Sequence, residues 1–374
     1  MNHYNIVIIG GGLAGLTAAL DLSKKKYRVL LIEKHIYPHH KVCGEYVSNE
    51  ILPYLNTLGI SLEKVGAVSI TNFQLSTKKG TCTSTKLPLG GKGISRYAFD
   101  NLLFKHAKKQ GAKFLFDTVN TINYENNLFT VSTASNQQYT AEITIGAYGK
   151  RAHLDKQLNR DFFKEKSSWL GVKAHYQIDH FPDNLVALHN FDGGYGGLSK
   201  TETGAVNFCY LTTYNSFKPY NTIEAFHKNV VSENPFLKEF LEKATPLFEK
   251  PLTIAQISFH KKKPVENHIL MCGDTAGLIH PLCGNGMAMA IHSAKIASDL
   301  IHEYFIGNLK NRSDLEKAYH RLWNSTFKRR LWMGRRLQAL LLSPTLSKHS
   351  MTLASKAPKL LQKLIKLTHG KPIV

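Results

Sequence analysis

Two aliphatic runs separated by a helical pattern dominate the first 33 residues. Ile6-Val7-Ile8-Ile9 is an unbroken β-favouring run that passes directly into Gly10-Gly11-Gly12, as expected of a strand covered on both faces. Leu13, Leu16 and Leu20 then recur on one helical face, with small Ala14, Ala18 and Ala19 beside them. This predicts a helix packed closely on the strand. Val29-Leu30-Leu31-Ile32 is a second apolar run, closed by Glu33. Strand, turn, helix and strand in this order predict the start of a parallel α/β sheet.

Further along, residues 69–76 and 81–87 alternate as strands about a Lys78-Lys79-Gly80 turn. Gly90-Gly91-Lys92-Gly93 reads as a mobile turn that leads into a helix from Arg96 to about Gln110. Short strands are predicted at 113–116, 121–125, 129–132 and 142–145, then at 169–178 and 205–212 around a glycine turn at 192–197. Residues 217–250 read as helix broken at Pro235 and Pro246, and 253–260 as strand. Beyond 308 the pattern is helical. Leu360, Leu361, Leu364 and Ile365 share one face, and Lys359, Lys363 and Lys366 share the other.

The glycines give the first helix its chemistry. Gly10, Gly12 and Gly15 stand in G-x-G-x-x-G spacing. Gly10 permits the turn, Gly12 lets a pyrophosphate approach the backbone, and Gly15 lets helix and strand pack closely. The N–H groups of Leu13 and Ala14 at the helix start face the phosphates with positive dipole density. Glu33, with Lys34 beside it, stands where an acid accepts from the adenosine ribose hydroxyls. This much fits FAD or NAD. The stretch 269–290 favours FAD. A short strand enters Gly273-Asp274, where Asp274 can accept from a ribityl hydroxyl, and a second turn follows at Pro281-Leu282-Cys283-Gly284-Asn285-Gly286-Met287. A helix opening there aims its positive end at a ring edge that gains negative charge on reduction. NAD has no ribityl chain and no such need.

An N-terminal G-x-G-x-x-G paired with a late G-D-x-x-G-x-x-x-P-x-x-G-x-G resembles the FAD-dependent oxidoreductases of the para-hydroxybenzoate hydroxylase fold. Within that group, Lys41-Val42-Cys43-Gly44-Glu45 resembles the K-x-C-G-E-G signature of the geranylgeranyl reductase family, with Tyr46 in place of the last glycine. Ser95-Arg96 is similar to the family's helix start, whose arginine approaches the FAD. Gly146-Ala147-Tyr148-Gly149 resembles its G-A-D-G turn, with Tyr148 in place of the acid. The resemblance implies that Cys43 and Gly44 border the flavin on the substrate side, with Cys43 or Glu45 available for proton transfer. His280 is a further candidate proton donor. Tyr195 and Gly196 resemble a Gly-Tyr-Gly segment on the substrate face. Arg96, Gly149, Gly273, Pro281, Asn285 and Met287 complete the expected cofactor set.

Composition narrows the rest. The 374 residues carry a net charge of +21, of which +13 lies between Asn308 and Lys371, where 15 Lys and Arg face two acids. That basic, amphipathic region, above all residues 331–367, suits a peripheral membrane surface or an acidic carrier. No nucleic-acid module accompanies it, and nucleic acid ranks last. The five cysteines form no C-x-x-C pair, which suits a reducing cytoplasm. No metal constellation and no second G-x-G-x-x-G appears, so reducing equivalents are expected from transiently bound NAD(P)H or an electron carrier. The W-x-W-x-I-P motif of flavin halogenases is absent.

The expectation is a discontinuous Rossmann-like FAD domain formed by residues 1–68, 95–160 and 261–307. A mixed or antiparallel substrate sheet is inserted at 69–94 and 161–260, and a basic helical region occupies 308–374. The expected activity is hydride transfer from reduced flavin to a C=C bond of a hydrophobic prenyl-lipid or polyketide-like substrate, free or carrier-bound. The alternatives are an aromatic monooxygenase that activates oxygen on the same cofactor and a non-catalytic membrane- or carrier-associated flavoprotein.

Overall fold

In the computed structural model, which describes residues 2–165, 167–342 and 358–374, two sheets share the chain. The first is built on β1 (His3–Ile9), β2 (Val29–Glu33), β6 (Lys113–Phe116), β9 (Gln138–Gly146) and β17 (Ile269–Met271). These five run parallel in the order β17-β9-β1-β2-β6. β16 (Val265–Glu266) and the hairpin of β7 (Val119–Glu125) and β8 (Leu128–Thr133) extend it antiparallel. Helices cover one face: α1 (Leu13–Lys24), α2 (Arg96–Lys109) and α3 (Gly286–Phe305). Nearly all of α1 is buried. Ile6, Ile8, Leu16, Leu20, Phe99, Leu103, Ile291 and Ala294 form one apolar core between sheet and helices.

The second sheet has nine strands, in the order β14-β10-β13-β12-β11-β4-β5-β3 with β15 also on β10. They are β3 (Tyr46–Ser48), β4 (Val68–Ser76), β5 (Cys82–Gly93), β10 (Trp169–Gln177), β11 (Leu185–Phe191), β12 (Gly194–Lys200), β13 (Val206–Thr213), β14 (Thr245–Pro246) and β15 (Leu252–Ala255). All pairs are antiparallel except β11 with β4. β3 joins this sheet although it lies in the stretch assigned from sequence to the nucleotide domain.

Three sequence readings are corrected here. Gly90–Gly93 is not a mobile turn but the end of β5, paired with both β3 and β4. A Cβ at Gly91 would strike the Tyr46 ring, and one at Gly93 the Lys200 carbonyl. Likewise the turn at 192–197 shrinks to Asp192-Gly193, and Gly194 to Gly197 are strand. Gly91, Gly93 and Gly194 provide room for a neighbour, whereas Gly90 and Gly193 supply a φ of +67° and +72°. Pro235 begins a helix, Pro235–Lys243, capped by Asn234, and so breaks none.

Two more helices complete the described chain. α4 (Arg312–Leu342) packs Leu315, Tyr319, Trp323 and Phe327 into the nucleotide-domain core. α5 (Pro358–Thr368) lies against β5 and α4. Within 331–367, residues 343–357 and the side chains of Gln338, Leu340, Leu341, Leu342, Pro358, Lys359 and Leu360 lie outside the described residues. No described helix is long and apolar enough to cross a membrane.

Candidate functional site

The carboxyl ends of the parallel strands open into a cavity of about 950 Å³ that continues between the two sheets. At one end β1 turns at Gly10, whose φ of +101° and contact with the Ala147 backbone exclude a side chain. Gly12 caps α1 without a side-chain bond, and Gly12, Leu13 and Ala14 line the cavity. A Cβ on Gly12 would meet only Arg96 Nη2, at 3.6 Å, so the backbone at this position borders open cavity. Gly15 is not on the wall. A Cβ there would collide with the Gly10 carbonyl, so its role is packing. Glu33 is buried at the wall beside Lys34. Its Oε2 accepts from Gly11 N at 2.6 Å and its Oε1 from His35 N at 3.1 Å. The remaining lone pairs stay available for hydroxyls.

Arg96 opens α2, where Ser95 Oγ accepts from Ala98 N. Its Nε and Nη2 donate to the two Asp100 oxygens at 2.7 and 2.8 Å, and Lys41 Nζ donates to Asp100 Oδ2 at 2.9 Å. Burial pushes the Asp100 carboxyl up, but the Arg96 and Lys41 charges hold it below the usual carboxylate range. Arg96, Lys41 and Asp100 together carry one positive charge, and the Glu33 carboxylate stands on the amide side of Gly11. Lys41 lines the cavity and also donates to Gly11 O at 3.2 Å.

The other end is formed by the short turn Gly273–Thr275 and by the start of α3. Gly273, Asp274, Pro281, Gly284, Gly286 and Met287 line the cavity, as does Gly149. Gly149 N donates to Thr275 Oγ1 at 2.8 Å, which ties the two turns together. Gly284 has φ +60°, and Asn285 caps α3 without a side-chain bond to the helix. Asn285 is not on the wall. It is buried, and its Nδ2 donates to Thr368 O at 2.9 Å. His280 is also off the wall, packed against Phe259 and Trp169. Burial lowers its pKa to about 3. The imidazole is neutral, and its Nδ1 lies 3.5 Å from the hydroxyl of Tyr195. Tyr195 and Gly197 face the cavity, whereas Gly196 points to the other side of β12, against Phe208. The period of two along a strand separates them.

Cys43 and Gly44 line the cavity between its two ends. Side chains of the second sheet hold their loop: Asn207 Nδ2 donates to Cys43 O at 3.1 Å and Ser199 Oγ to Gly44 O at 3.4 Å. Glu45 is fully buried with φ +54°. It accepts from Lys173 Nζ at 2.5 Å, His175 Nε2 at 2.6 Å and Arg96 N at 2.8 Å. Burial alone would raise its pKa. The His175 hydrogen bond and the Lys173 charge reverse this and hold it below its ordinary value. His40 adds a third side chain, its ligand atom within 4.8 Å of those of Glu45 and His175. The Lys173 ammonium already supplies the counter-charge there. Sequence reasoning missed Lys173 and His175. Their spacing of two on a strand puts both on one face, a signal present in the residues themselves.

Beyond Cys43 the wall becomes apolar. Phe73, Leu75 and Leu87 come from β4 and β5, Leu188 from β11, and Leu361, Leu364 and Ile365 from α5.

Known proteins are similar to this chain in sequence and in fold. A family model described as "FAD binding domain" matches residues 3–312. The chain is similar to conditioned medium factor receptor 1 of Dictyostelium discoideum, 23% identical, covering 87% of this chain and 68% of that protein. It is also similar to the digeranylgeranylglycerophospholipid reductase of Methanocaldococcus jannaschii, 26% identical over 86% of this chain and 82% of the relative. Among solved structures, a flavin-dependent brominase superposes with a TM-score of 0.78 at 16% identity, covering 97% of this chain and 93% of that one. At that identity the likeness concerns the fold.

Proposed function

We propose, from the premise that this chain belongs to the FAD binding domain family and is an FAD-dependent oxidoreductase, that it reduces a C=C bond of a hydrophobic prenyl-lipid or polyketide-like substrate. The observation that supports this reading is the apolar half of the cavity, contiguous with the glycine turns through Cys43 and closed by three aliphatic side chains of α5. The residues present fit FAD: uncapped N–H groups at both helix starts, a glycine cradle and an acid at each turn. Bound FAD supplies the hydride.

The protein's own groups do the rest. The N–H groups of Leu13 and Ala14 and the Arg96–Lys41 charge hold the pyrophosphate. Asp274 holds the ribityl hydroxyls. The start of α3 at Gly286 stabilises negative charge at the ring edge. The Cys43 thiol, on the wall between cofactor and apolar half, gives the proton that completes saturation. NAD(P)H or an electron carrier serves as transient reductant. The exposed cations Lys328, Arg329 and Arg336 on α4, with Trp332 48% exposed and stacked under Arg336, contact anionic lipid headgroups, where such substrates reside.

The test is anaerobic turnover with chemically reduced holoprotein and a panel of polyprenyl and polyene substrates. Product that has gained two hydrogens without oxygen supports the reading. Product that forms only with oxygen and has gained an oxygen atom overturns it. That result would favour aromatic monooxygenation, which the likeness in fold to a brominase makes the second reading.

A further inference from the structure

We infer that Lys262 is a positioning residue for FAD: from behind the cavity wall, its ammonium ties together the two glycine turns that border the cofactor site. This role rests on the FAD assignment and not on the reaction proposed above.

The turns follow the ends of β9 and β17. A ladder-like bond from Cys272 N to Gly146 O, 2.9 Å long, closes the two strands. Past it both chains leave the sheet through glycines of positive φ, +92° at Gly149 and +60° at Gly273. Gly149, Lys150, Gly273 and Asp274 all line the cavity, beyond the reach of sheet register. Side chains hold them instead. Arg160 Nη2 donates to Thr275 O at 2.9 Å, and its Nη1 donates to the buried Asp155 carboxylate at 2.8 Å. Lys262 Nζ donates to Lys150 O at 2.7 Å and to Asp274 O at 2.8 Å. One carbonyl from each turn thus converges on a single nitrogen.

Two carbonyl dipoles aimed at one point repel each other unless a donor lies between them, and a charged donor makes the stronger bonds. The spacing of the turns therefore depends on Lys262. The Asp274 turn also abuts α1, since a Cβ on Gly273 would stand 3.1 Å from Ala14 Cβ. Lys262 thereby helps to set Asp274 relative to the helix start that faces the phosphates. In the run Lys261-Lys262-Lys263 the outer two are exposed, while Lys262 is half-buried with Nζ 4.2 Å from the centre of the Phe162 ring. Burial lowers its pKa to about 8. Asp155 and Asp274 favour the ammonium, and Arg160 and Lys150 oppose it. The FAD diphosphate, bound across the wall, adds negative charge that favours the ammonium, so binding takes up a proton. FAD is then held best below pH 8, and the hold weakens as pH rises beyond it.

The experiment dilutes holoprotein in series at pH 7, 8 and 9 and reads released flavin by its fluorescence, which gives the FAD dissociation constant without turnover. The unmodified protein is expected to bind FAD about fivefold more weakly at pH 9 than at pH 7. Lys262→Met should bind FAD about tenfold more weakly at pH 7 and lose the pH dependence. Lys262→Arg keeps a cation that does not titrate in this range, so it should bind tightly at pH 7 and at pH 9 alike. Where Lys262→Met yields no folded protein, the profile of Lys262→Arg decides. The inference is overturned if the unmodified protein holds FAD equally at pH 7 and pH 9, if Lys262→Arg keeps the unmodified slope, or if Lys262→Met binds FAD as tightly as the unmodified protein at pH 7. A chain that holds no flavin at any pH overturns the FAD assignment itself, a result distinct from a flat profile.

Discussion

Replacing Lys173 with methionine removes the ammonium from the Glu45 carboxylate but keeps a stem of similar length in β10. Glu45 is fully buried and has three partners among the described residues, of which Lys173 is the permanent side-chain cation. Breaking a buried ion pair from one side strands a charge and costs about 3–5 kcal/mol. Replacing both members costs far less, since no charge remains. Lys173→Met should therefore destabilise the holoprotein by about 3 kcal/mol in urea unfolding at fixed excess FAD. Lys173→Met/Glu45→Gln should recover at least half of that loss. The pH dependence gives an independent sign. With Lys173 present, the Glu45 pKa is depressed. Its stabilisation is present above the unfolded value near 4.3 and is lost as pH falls. Without Lys173, His175 and the Arg96 amide alone oppose burial, so the folded pKa moves up and less stabilisation is gained above it. The difference between the two proteins should thus be small at acid pH, where Glu45 is protonated in both, and grow as pH rises. A loss under about 1 kcal/mol, a difference that narrows with pH, or a double variant no better than the single would refute the account of Glu45 as an ion-paired, structure-bearing carboxylate.

Asp274→Ala should release FAD during purification, read from the ratio of visible to protein absorbance; full retention of colour would remove its assigned contact. His189 and His280 are buried and His227 is partly buried, and desolvation holds all three neutral, with pKa values lowered to about 4, 3 and 4 respectively. The unfolded chain binds protons first, so each should cost about 2 kcal/mol between pH 7 and pH 5, seen as a falling urea midpoint. His227→Phe should flatten that slope. The triple charge reversal Lys328→Glu, Arg329→Glu and Arg336→Glu, all at exposed positions, should abolish sedimentation with phosphatidylserine vesicles with FAD content unchanged. Undiminished sedimentation would remove the membrane contact.

What could be read from the sequence was local. The aliphatic run into Gly10, the helical face of Leu13, Leu16 and Leu20, and the second turn at Gly273-Asp274 each lie within a few residues, and backbone sterics tie such patterns to strand, turn and helix. Such patterns carry the fold class and FAD binding by themselves. What glycine was doing could not be read locally. Gly10 is needed for its φ, but Gly91 and Gly93 are needed because Tyr46 and Lys200 approach from elsewhere in the chain. The rest came from pairings across long separations. Glu45 meets Lys173 and His175, Glu50 meets Arg330 and the Gly370 amide, and Asn285 leaves the wall to hold Thr368. No spacing rule links such residues, because sheet register and helix docking bring them together only after the chain has closed on itself. The same is true of α5, whose amphipathic pattern was plain in the sequence while the direction of its apolar face, into the cavity, depended on the tertiary fold.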